Sequence, residues 1–442
     1  IGIRLCGEEL LDDRGGNTPE ESLESIKIAE KAGIDYLSVT AGWQESPVSV
    51  ISRDVPMGNW LYIADRMKKN IKAPVSMAYR LFVPEIPEKA IADGTLDIWE
   101  MCRPMIADPF LPKKIMEGRQ QDIIPCIACN VCLARLFRDT ELCCTVRPSL
   151  GHETEIEWGF YGFQKSKKKK KVIVVGAGIA GLQAAAIAAE KGHDVTVYEK
   201  NDHIGGQFTA AAQGPWGDSE VQRMVDYLKA QCDKQGAKIV LNTSVTKELL
   251  EKKMADAAIV ATGAVPDKSI PGSDKKHVVS LFEVLEGRAK LGQNVVIVGG
   301  TGAAISTALY IIDKGKHSVT MIDKPKKFGL DVNPSYVWRY MKKLKEGNVV
   351  QMVQSIVKEI RDKEVVVEGQ DRKETTIPAD SVVLANLVPN KEVGYGKYAK
   401  DIYMVGDCVH VRRGTAAIRD GYKMGMRIDF LPYQTYHRIK KH

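Results

Sequence analysis

The chain has 442 residues, room for about three domains, and its 63 Lys and Arg against 56 Asp and Glu leave a net charge of only +7. That excess is too small to mark a nucleic-acid binder, and the composition is that of an ordinary globular protein. Nine cysteines with no signal peptide fit a reducing cytoplasm rather than a disulfide framework.

Residues 1–125 alternate strand and helix four times. The expected strands read IGIRLCG, DYLSVTAG, APVSMAY and LDIWEMCR; the helices read TPEESLESIKIAEKAG, GNWLYIADRMKKNI, IPEKAIADG and LPKKIMEGR. Repeated βα units imply a parallel sheet with right-handed crossovers. Four units are half of a TIM-type (β/α)8 barrel. An open half would expose sheet edges and a raw apolar face, so the rest of the barrel is expected from the same or another chain. A start at Ile1, already inside a strand-like run, suggests a fragment of a longer chain. Arg4, Arg80 and Arg103 lie on barrel strands or at their C-terminal ends, where such barrels bind ligands, and guanidinium groups suit a phosphate.

The segment 126–165 opens with CIACNVC. Cys126, Cys129 and Cys132 supply three thiolates at short spacing, and Cys143 or Cys144 supplies a fourth. Four thiolates suit one four-iron cluster. Structural zinc is the alternative, although it usually takes paired knuckles or adds His, and none lies between these cysteines. The basic run 165–171 (KSKKKKK) reads as a solvated linker.

A nucleotide-binding unit follows in KVIVVGAGIAGLQAAAIAAEKGHDVTVYEK. Its apolar stretch 172–189 is short for a membrane span and carries glycines at turn spacing, so no span is expected. Gly176, Gly178 and Gly181 form GxGxxG between a strand and a helix, and Glu199 ends the next strand. The glycines let a pyrophosphate approach the helix N-terminus, and the acid takes ribose hydroxyls. ATG at 261–263 and YMVGD at 403–407 add weight. A second unit begins at NVVIVGGTGAAIS, with Gly299, Gly300 and Gly302, and Asp323 ends its second strand. Thr301 and Ala304 stand at the second and third glycine positions. Thr301 puts a Cβ where a pyrophosphate should come close, so a purely structural layer is the alternative reading. Asp323 favours NADH, while Lys324, Lys326 and Lys327 could meet the 2′-phosphate of NADPH. The expected domains are a half barrel over 1–125, a cysteine segment over 126–165, an FAD-type domain over 166–290 and 391–442, and an NAD(P)-like domain over 291–390.

On MCRPMIADP, CIACNVC, VGAGIAGL, IGGQF and VGD, the chain resembles the C-terminal two thirds of the iron–sulfur flavoenzymes that include 2,4-dienoyl-CoA reductase, trimethylamine dehydrogenase and 2-enoate reductases. The resemblance implies an old-yellow-enzyme-type barrel holding FMN near Arg4, Arg80 and Arg103. It implies FAD contacts at Gly176, Gly178, Gly181, Glu199, Gly206, Gln207 and Asp407, a [4Fe-4S] cluster, and NADH or NADPH. The register of Pro148 then selects Cys144 as fourth ligand. Two departures matter. Gln44, in GWQES, stands where dienoyl-CoA reductases place a proton-donating His, and it cannot act as an acid. Leu136 stands where trimethylamine dehydrogenase has a Trp of its substrate cage. The expected activity is transfer of electrons from NAD(P)H through FAD, cluster and FMN to an activated C=C bond, with Gln44 as a substrate contact. The alternatives are an amine dehydrogenase that exports electrons to an electron-transfer flavoprotein, or a relay subunit within a homo- or hetero-oligomer.

Overall fold

The structure is a computed structural model, and it describes all residues except 44, 161–162, 216, 336, 391–400 and 430–442. Gln44 therefore lies outside the described residues. The chain divides into two compact units, Ile1–Asn130 and Val131–His442.

In the first unit four parallel strands stand in chain order: Gly2–Glu8, Tyr36–Ala41, Val75–Met77 and Ile98–Trp99. The helices Pro19–Lys31, Leu61–Lys68 and Glu85–Ala92 connect them. The first helix is fixed at its start by Pro19 and by a capping box, in which Thr18 and Glu21 satisfy each other's backbone N–H. One face of the sheet is apolar: Leu37, Val39, Val75 and Met77 pack with Ile26, Ile63 and Met67, all fully buried. Side chains alternate along a strand, and the opposite face carries Arg4, Ser38, Ser76 and Glu100. They line a concavity of about 500 Å³. Gly2, Ile3, Tyr36 and Ile98 share that lining, so the face is mixed, with Tyr36 and Ile98 exposed beside the polar groups.

The second unit holds two five-stranded parallel sheets. The first has the spatial order Asp401–Met404, Ala257–Val260, Lys171–Val175, Asp194–Tyr198 and Lys238–Val240. The second runs Val278–Ser280, Ser381–Leu384, Asn294–Val298, Ser318–Ile322 and Val350–Met352. Central strands such as KVIVV and NVVIV are apolar on both faces because both faces are covered, by helices on the first sheet and by helices on one side of the second. A three-stranded antiparallel sheet, Ile356–Ile360, Glu364–Glu368 and Glu374–Pro378, packs on the second parallel sheet.

The Ala-rich helix Ile179–Glu190 carries the first glycine motif, and the C-terminal helix Gly414–Arg427 lies against it. Small residues make this contact. A Cβ at Gly421 would strike the Ala180 carbonyl, and one at Gly425 would come within 2.9 Å of the Ala184 carbonyl. Backbone-to-backbone packing of this kind fixes the axial position of both helices, and so the position of the loops at their N-termini.

Candidate functional site

Strand Lys171–Val175 ends at Gly176, whose φ of 101° makes the sharp exit that a residue with a side chain resists. A Cβ at Gly176 would sit 2.6 Å from the Ala261 carbonyl, and one at Gly181 would collide with the Gly176 carbonyl. At Gly178 nothing lies within 4 Å of where a Cβ would stand. Gly178 is also the N-cap of helix Ile179–Glu190 and offers no capping side chain. The N–H groups of the first helical turn therefore face an open cradle, the arrangement that suits a pyrophosphate.

The other expected contacts gather on this cradle. Glu199, only 7 % exposed, accepts from the Ala177 N–H at 2.7 Å and from the Asn201 N–H at 2.9 Å. Each oxygen keeps acceptor capacity for a ribose hydroxyl. Gly205 bridges to the loop through its N–H to the Ala177 carbonyl, 2.8 Å. Gly206 lies beside Gly178 and caps the short helix Gln207–Ala211. The Gln207 amide donates to Asp407 Oδ2 at 3.0 Å, and the Arg412 N–H donates to Asp407 Oδ1 at 3.1 Å. Burial pushes the Asp407 carboxyl above its ordinary range, against those two hydrogen bonds. Gly176, Gly178, Gly181, Glu199, Gly206, Gln207 and Asp407 thus form one locus, and their residue types fit an adenine dinucleotide such as FAD.

The second glycine loop is built differently. Gly299 has a φ of 145°, and Asp323 Oδ2 accepts from the Gly300 N–H at 2.8 Å. Thr301 caps helix Gly302–Lys314 by accepting from the Ala304 N–H. The Gly302 N–H donates to both Asp331 oxygens, at 2.9 and 3.1 Å. The Phe328 ring fills the place of a Cβ at Gly300. A pyrophosphate seat at this helix is therefore already filled by the chain's own side chains. The sequence motif gave no sign of Asp331 or Phe328; the only cue is their place in the loop after the second strand.

In the first unit Arg4 Nη1 donates to Ser38 Oγ and Glu100 Oε2, each at 2.8 Å. Glu100 also accepts from Ser76. Burial works to raise the Glu100 carboxyl, but hydrogen bonds from Ser38, Ser76 and Arg4 outweigh it and hold the group below the ordinary glutamate range. Glu100 is thus ionised at neutral pH and no proton donor. A carboxyl depressed in the folded state stabilises fully above its unfolded value, about 4.3, and loses that contribution as pH falls through the folded value. Melting temperatures of wild type and Glu100→Gln should differ at pH 7 and converge once the pH falls below the lowered folded value of this carboxyl. A gap that persists unchanged into acid would show that the carboxylate charge is not what matters.

Arg80 has a φ of 56° and is completely buried, with its Nε donating to the Val55 carbonyl at 2.7 Å. Arg103 donates to the Ile51 carbonyl and to Asn130 Oδ1, at 2.9 and 2.5 Å. Both guanidinium groups stack on Phe82, 4.9 and 4.7 Å from its ring centre. The structure brings Arg80 and Arg103 together, while Arg4 pairs with Glu100. Arg103 opens the short helix Arg103–Ala107 rather than ending a strand.

Cys126 and Cys129 close the first unit, and Cys132, Cys143 and Cys144 lie in the second. All five are half-buried. Ala128 and Asn130, with φ of 48° and 53°, turn the chain between the first three. Cys132 sits in the helix Val131–Leu136. Among the described residues no group of three or more His, Cys, Asp or Glu side chains is gathered as a metal site. No described helix is long and apolar enough to cross a membrane.

A family model described as pyridine nucleotide-disulphide oxidoreductase matches residues 170–423. The chain is 30% identical over 464 residues to a metal reductase of Desulforamulus reducens, covering 97% of this chain and 68% of that protein. It is 33% identical over 444 residues to an NADH oxidase of Thermoanaerobacter brockii, covering 97% and 66%. Among solved structures, a 2-naphthoyl-CoA reductase complex superimposes with a TM-score of 0.89 at 41% identity, covering 96% of this chain and 64% of that one. The chain thus spans about two thirds of the length of these relatives. The match over both Rossmann sheets, with the glycine cradle, Glu199 and Asp407 in place, makes the chain an oxidoreductase of the pyridine nucleotide-disulphide oxidoreductase family.

Proposed function

We propose that the chain is the cofactor-bearing part of an iron–sulfur flavoprotein that passes electrons from NADH or NADPH to an activated C=C bond, of the enoate or enoyl-CoA class. The observation that carries this reading is the 41% identity to a 2-naphthoyl-CoA reductase over 96% of the chain. When bound, FAD, FMN, a [4Fe-4S] cluster and the nicotinamide supply the hydride and one-electron chemistry.

The chain's own residues bind, orient and exclude. Gly178 and the open first turn of helix Ile179–Glu190 hold the FAD pyrophosphate, Glu199 holds the adenosine ribose, and Gln207 and Asp407 fix the far end of the cradle. Cys126, Cys129, Cys132 and Cys144 supply an all-thiolate donor set, which suits iron rather than a hard cation. Arg103, bonded to Asn130, ties the cysteine loop to the end of the half barrel. Arg4 presents a half-exposed guanidinium to the concavity it shares with Tyr36 and Ile98, where it suits the flavin ring of FMN. Arg80 and Arg103 shape the wall around Phe82. The rest of the barrel, from the same or another chain, completes that site.

Leu136 supports reduction over amine oxidation. It is 63% exposed and aliphatic, so it offers a cation no aromatic face. Anaerobic mixing with NADH, NADPH, an enoate and an alkylamine tests the reading. Reduced nicotinamide should bleach the flavin and the enoate should restore its colour. Bleaching by the amine alone would overturn it.

A further inference from the structure

The loop after strand Ser318–Ile322 returns across the second glycine motif. Its Gly329 N–H donates to the Gly300 carbonyl at 2.7 Å, and the buried Phe328 ring lies on Gly300. This places the Asp331 carboxylate on the Gly302 N–H, with both oxygens within 3.1 Å. Gly302 is the first residue of a 13-residue helix, the position where an anion gains most from unpaired N–H groups and the helix dipole. A side-chain carboxylate on that N–H is an internal copy of a phosphate oxygen. Asp331 is itself exposed, as is Leu330 at 71%, so its carboxylate reaches the Gly302 N–H from the solvent side, while Val332 beyond it packs on the core. Phe328 is anchored too.

We propose that Asp331 is a built-in competitor for the pyrophosphate of the nicotinamide dinucleotide, and that its carboxylate must leave the Gly302 N–H before the dinucleotide can bind. This rests on the reading that NADH or NADPH is the donor. Competition at one charged seat weakens dinucleotide binding and leaves the fold unchanged. Asp331→Ala removes the competing anion. Asp331→Asn keeps its size and one acceptor oxygen and removes its charge.

The test measures NADH dissociation constants for the full chain, as wild type and both variants, together with hydrogen exchange of the 299–304 amides with and without inorganic pyrophosphate. Loss of one charge-assisted contact should tighten NADH binding about five- to fiftyfold in Asp331→Ala, and less in Asp331→Asn. Pyrophosphate should protect the 299–304 amides at lower concentration in the variants than in wild type. Protection by pyrophosphate in the variants without NADH binding to any form would uphold the competing carboxylate and sink the nicotinamide reading at this site. Equal NADH affinity and equal protection in all three proteins would overturn the proposal. So would an absence of any anion binding once Asp331 is gone. Matching melting temperatures show that a variant is folded, and Asp331→Asn carries the test if Asp331→Ala is not.

Discussion

Replacing Cys126, Cys129, Cys132 or Cys144 by Ser is expected to strip the protein of most of its iron, to below about a tenth of the wild-type content after anaerobic purification. A cubane takes one thiolate per iron, and metal binding couples steeply to the loss of a single ligand. Cys143→Ser, one residue away, should keep its iron, which separates the two neighbours that spacing alone left open. Iron and acid-labile sulfide analysis of the five variants reads this directly. Zinc in the wild-type protein, or full iron retention in Cys144→Ser, contradicts the assignment.

The second large effect concerns the glycine cradle. Gly181→Ala should lose bound FAD and destabilise its unit by about 3 kcal/mol, the upper range for overpacking. The added methyl meets the Gly176 carbonyl, which is backbone and cannot rotate away. Gly178→Ala should behave differently, because its Cβ enters open space. Its melting temperature should stay within a degree or so of wild type, while FAD affinity falls about tenfold or more as the methyl narrows the anion seat. Thermal melts and flavin extracted per chain distinguish the two. If both variants kept FAD, the cradle would not be its site.

Much of this arrangement is legible before any coordinates. Parallel strands need crossovers, so the βα alternation over 1–125 shows itself as a repeat. The Gly176–Gly181 spacing is legible because the turn, the helix start and the close strand contact all fall within a few residues. What stayed hidden depends on contacts remote in sequence. Asp331 reaches Gly302 across 29 positions. Arg80 reads as a phosphate ligand at a strand end, yet its left-handed backbone turns the guanidinium onto the Val55 carbonyl. The polar groups on the open face of the first sheet were present in the alternation of Arg4, Ser38 and Ser76, but Glu100, which joins them, follows the last strand and is 96 positions from Arg4. Thr301 read only as an obstruction, and it also caps its helix.

The most direct test of the central claim is to extract the nucleotide from the purified chain and titrate the chain anaerobically with NADH while following flavin absorbance. One FAD per chain, bleached by NADH and not by an alkylamine, is the expected result. ADP without flavin, or a flavin that the amine reduces and NADH leaves oxidised, would contradict it.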